Sequence, residues 1–199
     1  MELELKHFAP HLPYGLKVQL SQKGVFNLDE EFPQPHNEIC EITNILKCNN
    51  EWQVEISEVA GDDSFGLIDL DEIIPLLLPM SSLYTEMEDG NVPMKVIGEM
   101  LEYDLKKYTY DDGDVFYGFD LTDTSIPYKV PMEDREIYLI YFDTQCNWFK
   151  MVNQFLDVDS DCEHIPFSLE VADYLDSLHF DWRYGLIDKG LAIDKTKIK

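Results

Sequence analysis

The sequence has few basic residues: it contains 15 lysines and arginines against 40 aspartates and glutamates, which gives a formal net charge of −25. The acidic residues are spread along the whole chain and are not gathered in one tail. Such a surface repels phosphate backbones, so we expect no direct binding of nucleic acid. The charge serves either to keep the protein soluble or to mimic a nucleic acid towards a basic host protein.

Cysteine is also scarce, with four residues at positions 40, 48, 146 and 162 and no C-x-x-C pair. This spacing matches no zinc-site pattern and favours free thiols in a reducing compartment. No apolar run approaches the length of a membrane span, and the polar residues 1–6 do not resemble a signal peptide. We therefore expect a cytoplasmic protein that makes no membrane contact.

The motifs of common enzymes are missing, including the Gly-rich phosphate loop, the G-x-S-x-G elbow and the H-E-x-x-H helix. Asp157, Asp159 and Asp161 alternate as at the start of a calcium-binding EF-hand loop and are the candidate metal ligands. That loop needs glycine at its sixth position and glutamate at its twelfth, where this chain has Cys162 and Ser168. The sequence therefore predicts no metal site, no cofactor and no catalytic residue.

What the chain does contain is typical of a folded protein, with 199 residues, 45% hydrophobic and 13% aromatic. We predict an α+β fold in which a small, bent N-terminal β-sheet or barrel of about five strands precedes an α+β part with two or three helices. The predicted boundaries are a β-rich subdomain over 1–70, a proline-punctuated linker over 71–92 and an α+β subdomain over 93–199.

The N-terminal strands are predicted from alternating or continuous apolar residues between turn signals, over 16–20, 24–28, 39–46, 51–59 and 65–70. The best hairpin joins the third and fourth of these, because Trp52, Val54 and Ile56 alternate with polar residues. Pro75 and Pro79 interrupt the apolar stretch that follows, which favours a packed linker over a long helix.

The rest of the chain is predicted to form a helix from Pro93 to about Lys107, a hairpin over 109–121 and a central strand over 137–142. Residues 145–156 are predicted to be helical, and a hairpin arm over 145–152 is the alternative. Ser168 is the expected N-cap of a helix that begins at Leu169.

The C-terminal stretch is predicted to close the core as a clasp. Gly185 and Gly190 allow the chain to fold back, and the apolar residues that follow them are Leu186, Ile187, Leu191, Ala192 and Ile193. The alternative makes His179 and Asp181, or Asp188 and Asp194, catalytic. Packing is the preferred interpretation, because a histidine beside aromatic residues is usually buried and hydrogen-bonded.

Two terminal segments carry a family resemblance: Leu-Lys-His-Phe-Ala-Pro-His-Leu-Pro-Tyr-Gly-Leu-Lys over 5–17, and His-Phe-Asp with Gly-Leu-Ile-Asp-Lys-Gly-Leu-Ala-Ile-Asp within 179–194. They resemble a group of uncharacterised prophage-type proteins from gut anaerobic bacteria. The chain departs from that group over 77–83, where an arginine and an aspartate of the group's pattern are missing. The resemblance implies a phage or mobile-element origin and no particular chemistry.

Three hypotheses for the function follow. The leading one is a non-enzymatic prophage or mobile-element accessory protein that binds another protein. The second is an acidic nucleic-acid mimic that occupies a DNA- or RNA-binding protein of the host. The third is a metal-assisted hydrolase, for which no motif speaks.

Overall fold

A computed structural model describes residues 2–21, 39–49, 51–58, 64–109, 115–120, 137–143, 148–153, 163–165 and 168–198. The chain forms two compact units, one of Met1–Pro79 with Tyr174–Lys199 and the other of Met80–Asp173. Both helices and strands occur, which confirms the α+β class. The division differs from the predicted boundaries because the last residues of the chain belong to the N-terminal unit.

The first unit is built on a six-stranded sheet with the order β11-β5-β1-β2-β3-β4. Its strands are β1 Lys17–Leu20, β2 Cys40–Cys48, β3 Glu51–Glu58, β4 Ser64–Asp69, β5 Ile73–Leu77 and β11 Ile193–Asp194. Neighbouring strands are antiparallel except β11, which runs parallel to β5. The described strands make an open sheet and no closed barrel. The predicted strand over 24–28 lies outside the described residues.

The predicted hairpin of β2 and β3 is confirmed. Ile42 pairs with Ile56 and Ile45 with Val54, and an irregularity in register follows Ile42. Val54 and Ile56 are buried as the alternation predicts, whereas Trp52 at the start of β3 is 38% exposed. The apolar face of the hairpin is thus covered along its length and open at its tip.

Residues 73–77, which lie within the predicted linker over 71–92, form β5. Pro75 lies opposite Val18 of β1, while β11 pairs only with Leu76 and Leu77. At Pro75 the other side of β5 therefore has no partner strand in the part of the chain that the structure describes. A proline is tolerated at such an edge position, because its missing N–H breaks no ladder hydrogen bond there.

The second unit contains a five-stranded antiparallel sheet with the order β10-β9-β8-β7-β6. Its strands are β6 Lys106–Thr109, β7 Val115–Asp120, β8 Ile137–Asp143, β9 Trp148–Asn153 and β10 Glu163–Ile165. The hairpin of β6 with β7 and the central place of β8 are confirmed. The helix predicted over 145–156 is wrong, since 148–153 is a strand, as the alternative proposed.

The helices are α1 Leu5–Phe8, α2 Pro93–Met100 and α3 Leu169–Ser177. The prediction that α2 continues to Lys107 is wrong. Tyr103 N donates to Gly98 O at 2.8 Å and Glu102 N to Glu99 O at 3.1 Å, with Glu102 in the left-handed region at φ 64°. These two bonds form a Schellman motif that ends the helix. Lys106 and Lys107, at the end of the predicted helix, then belong to β6.

Gly98 allows the chain to turn closely back on α2. A Cβ atom at this position would lie 2.5 Å from Leu105 Cγ and 3.0 Å from Tyr103 O. Leu105 is buried. Leu105, which the sequence places in the helix, therefore packs against Gly98 of α2 through this reversal of the chain.

The core of the first unit combines residues from both ends of the chain. Its buried cluster includes Phe8, Leu16 and Val18 from the N-terminal part together with Leu186 and Ala192 from the C-terminal part. The two sequence segments that carry the family resemblance thus pack into one core. In the described residues no helix is long and apolar enough to cross a membrane.

Candidate functional site

The end of α3 places a histidine inside the first unit. Ser168 Oγ accepts a hydrogen bond from Val171 N at 3.1 Å, which confirms the predicted N-cap. At the other end, Phe180 N donates to Leu175 O and His179 N to Asp176 O, both at 3.0 Å. His179 takes the left-handed conformation at φ 63°, where glycine is usual. The helix therefore ends with a strained residue whose side chain is 7% exposed.

The segment after His179 returns to the sheet as the clasp prediction required. Leu78 N donates to His179 O and Asp181 N to Leu78 O, both at 2.9 Å. Gly185 and Gly190 have left-handed φ angles of 57° and 69°. Leu186 is 1% exposed and belongs to the core cluster. This geometry confirms the predicted fold-back.

Three histidines, His7, His11 and His179, are buried in this unit, and we call the contacting pair of His11 and His179 the histidine cluster. The rings of His11 and His179 lie edge to face with centroids 5.7 Å apart. His11 Nδ1 lies 3.2 Å from Asp176 O and donates to it. His7 Nδ1 accepts a hydrogen bond from Glu4 N at 2.9 Å. Both contacts fit uncharged rings.

Burial lowers the pKa of all three buried histidines. The lowering is greatest at His179, where burial and the neighbouring His11 bring the pKa from 6.5 to about 4. His179 Nδ1 is buried without a hydrogen-bond partner among the described residues. The cluster is therefore neutral at pH 7, and the lone pair of His179 Nδ1 has no donor among the described residues.

Asp176 lies beside the cluster, and its side chain binds two others. Its carboxylate accepts from Trp182 Nε1 at 2.8 Å and from Arg183 Nη2 at 2.6 Å. The Arg183 guanidinium also lies over the Trp182 ring, 4.0 Å from its centroid. Asp176 is 4% exposed, and these bonds compensate for the burial of its charge.

The catalytic alternative for the C-terminal stretch finds no support in these contacts. Asp181 Oδ2 accepts from Ile187 N at 2.7 Å, and burial raises the pKa of this carboxyl group. Asp194 Oδ1 accepts from Thr196 N at 3.0 Å and caps the following turn. Asp188 is exposed. The carboxylates of Asp181 and Asp194 thus hold backbone turns in place.

A groove of about 700 Å³ opens elsewhere on the first unit, and we call it the acidic groove. Its lining comes from the N-terminal segment with the start of α1, from the start of β3, and from the end of β4 with the turn that follows. The lining residues are Glu2, Leu3, Glu4, Leu5, Lys6, Glu51, Trp52, Asp69, Leu70 and Asp71. The lining carries five carboxylates against one ammonium group. Lys6 is paired with Glu4 at 2.9 Å, so the excess of negative charge in the groove remains.

Trp52 gives the acidic groove an aromatic surface. Lys47 Nζ lies 5.4 Å from the centroid of the Trp52 ring, in the range of a cation–π contact. Among the described residues, the groove lining contains no serine, threonine, cysteine or histidine. This arrangement suits binding of a cationic group and lacks the nucleophiles of covalent catalysis.

The predicted site residues and the observed features differ. Asp157, Asp159 and Asp161, the candidate metal ligands, lie outside the described residues. Within the described part of the chain, no group of three or more histidine, cysteine or carboxylate side chains is arranged to hold a metal ion. Sequence reasoning missed the histidine cluster and the acidic groove, because each joins residues far apart in the chain.

Comparison of the chain with protein-family models, with curated proteins and with solved structures finds no match.

Proposed function

We propose that this chain is a non-enzymatic accessory protein of a prophage or mobile element, and that it binds another protein through the acidic groove. The observation that carries the proposal is the groove lining, with five carboxylates, one ammonium group and a partly exposed tryptophan. Carboxylates attract cations, and a tryptophan face adds a cation–π contact of about 0.5–2 kcal/mol. The proposed occupant is a segment of the partner that presents arginine or lysine side chains.

Arginine fits this lining better than lysine. Its planar guanidinium can donate two parallel hydrogen bonds to a carboxylate and can stack on an indole ring. The chain already contains such an arrangement, since the Arg183 guanidinium binds Asp176 and covers the Trp182 ring. The groove lining also offers both kinds of group, because Trp52 occurs there together with five carboxylates.

The phage or mobile-element origin is part of the same proposal and rests on the two terminal sequence segments. Both segments contribute to the core, through Phe8 and Leu16 on one side and Leu186 and Ala192 on the other. What the resemblance covers is then a set of residues that build the first unit. The groove is lined partly by the first of these segments, through Leu5 and Lys6, and partly by residues outside both segments.

The test is a titration of the protein with hexaarginine, in which binding is monitored by the fluorescence of Trp52. The protein used has phenylalanine in place of its other tryptophans, at 148 and 182. A double variant, Glu51→Gln with Asp71→Asn, removes two charges from the groove. Its matched control, Asp173→Asn with Asp188→Asn, removes two exposed charges elsewhere. We expect the groove variant to weaken binding about tenfold and the control to weaken it less than about twofold. Equal weakening by both would mean nonspecific attraction and would refute the proposal.

The nucleic-acid mimic is the alternative, and the net charge of −25 is the observation that favours it. Partner proteins captured from host lysate distinguish the two. A mimic binds at the nucleic-acid site of its partner, so added DNA or RNA should displace it, and its affinity should fall steeply with salt. Binding in the groove should instead depend on Trp52 and should not be displaced by added DNA or RNA.

A further inference from the structure

We propose that His11 and His179 form a proton-operated latch that holds the C-terminal segment 180–198 against the sheet of the first unit. The latch is closed while both rings are neutral, and it opens when His179 Nδ1 takes up a proton from solvent. This inference is independent of the acidic groove and of the proposed binding function.

His179 lies at the junction between α3 and the segment that returns to the sheet. Its carbonyl accepts from Leu78 N, and two residues later Asp181 N donates to Leu78 O. These bonds lie where α3 ends and where the returning segment begins. A change at this residue therefore acts directly on the start of the segment that carries Leu186 into the core.

The two rings differ in their hydrogen bonding at Nδ1. The backbone of Tyr14 interacts with His179, and the ring's Nδ1 is left without a partner among the described residues. A proton on this nitrogen would create a buried donor with no acceptor, which costs the desolvation of the new N–H. The Nδ1 atom of His11 cannot accept this proton, because its own N–H is already directed at Asp176 O.

The charged side chains that act on His179 are positive. The groups that act on His179 are His11 from the turn after α1, Lys17 of β1 and Lys195 that follows β11, and each disfavours a positive ring. The carboxylates nearby, Asp176 and Asp181, act on His11, together with the guanidinium of Arg183. A protonated His179 would thus lie near the imidazole of His11 and the ammonium groups of Lys17 and Lys195.

The sign of the pH effect follows from these contacts. The pKa of His179 is about 4 in the folded chain, against the ordinary histidine value of 6.5. The closed latch is fully stable above pH 6.5, and its stability is lost as the pH falls from 6.5 towards 4. At pH 5 most carboxylates in their ordinary range are still charged, so the histidine effect dominates there.

The experiment measures hydrogen exchange by NMR at the amides of Leu191 and Ala192, which both donate to Leu186 O in the closed segment. We expect their protection factors to fall about 10- to 100-fold between pH 7 and pH 5. In His179→Asn, which tolerates the left-handed conformation and does not titrate, protection should be the same at both values. Equal loss of protection in the variant and the parent would overturn the proposal.

A second pair of variants tests the latch in chains with both histidines intact. Lys195→Met removes a cation that acts on His179, so the NMR titration midpoint of the His179 ring should move upwards, towards 6.5. Lys197→Met removes an equal charge that is paired with Asp194 and 76% exposed. It should leave the midpoint unchanged. Equal shifts in the two lysine variants, or a His179 midpoint near 6.5 in the parent, would overturn the proposal.

Discussion

Trp182 donates its indole N–H to the carboxylate of Asp176 at a distance of 2.8 Å, across six residues that include the end of α3. The same carboxylate binds Arg183, which stacks on the indole ring. The helix, the reversal at His179 and the returning segment are tied together by this one buried acid.

Asp176→Ala should therefore destabilise the protein by about 2–3 kcal/mol, since it leaves an indole N–H and a partly buried guanidinium without their acceptor. Urea unfolding at pH 7 measures the loss. Asp173→Ala, an exposed aspartate on the same helix, is the control and should change stability by less than about 0.5 kcal/mol. Similar losses for the two variants would contradict the assigned role of Asp176.

Leu186→Ala should cost about 2–5 kcal/mol, because the side chain is 1% exposed within the core of the first unit. Leu191 is only partly buried against that core, so Leu191→Ala should cost less. Asp188→Asn should be close to neutral, as its side chain is exposed. Thermal melts of the three variants rank them. A melt of Leu186→Ala that coincides with the parent's would mean that the C-terminal segment contributes nothing to the core.

Glu102→Gly should stabilise the protein by about 0.5–1 kcal/mol. Glu102 occupies the left-handed position of the Schellman motif after α2, where glycine avoids the steric strain of a side chain. Glu99→Gly, three residues earlier and inside the helix, should instead destabilise by about 1 kcal/mol. Opposite signs for the same chemical change, measured by urea unfolding, would confirm the end of α2. A loss of stability in both variants would contradict it.

Asp181→Asn should make the protein less sensitive to rising pH. Burial raises the pKa of Asp181 in the folded chain, so its proton is bound more tightly when folded than when unfolded. The parent therefore loses stability as the pH rises through that pKa. The asparagine can still accept from Ile187 N but does not titrate. The stability of the variant relative to the parent should increase from pH 3 to pH 6, and an unchanged difference would count against the buried carboxyl.

The sequence predicted those elements whose signals are local. The N-cap at Ser168 and the alternation around Val54 each lie within a few residues of the structure they specify, and both predictions are confirmed. The same holds for β8, whose continuous apolar residues mark a central strand. Local patterns were sufficient wherever one segment's own spacing determined its conformation.

The errors have a common physical cause, which is that distant contacts decided the outcome. Pro75 argued against a strand, yet β5 forms because it lies between β1 and the edge strand β11. Leu105 falls within the predicted helix from Pro93 to about Lys107, yet the chain turns back after Met100 and Leu105 is buried against Gly98. The histidine cluster depends on a contact between His11 and Asp176 across 165 residues. Spacing within one segment carries no information about such pairs.

The composition of the first unit has a consequence for how the protein is made. Its sheet and core require Leu186, Ala192 and β11, which are synthesised after the whole of Met80–Asp173. While the ribosome translates the second unit, β5 lacks β11 and the core lacks Leu186. A nascent chain stalled before Tyr174 therefore exposes apolar surface of its N-terminal part to chaperones and proteases, although every strand from β1 to β5 has already been translated.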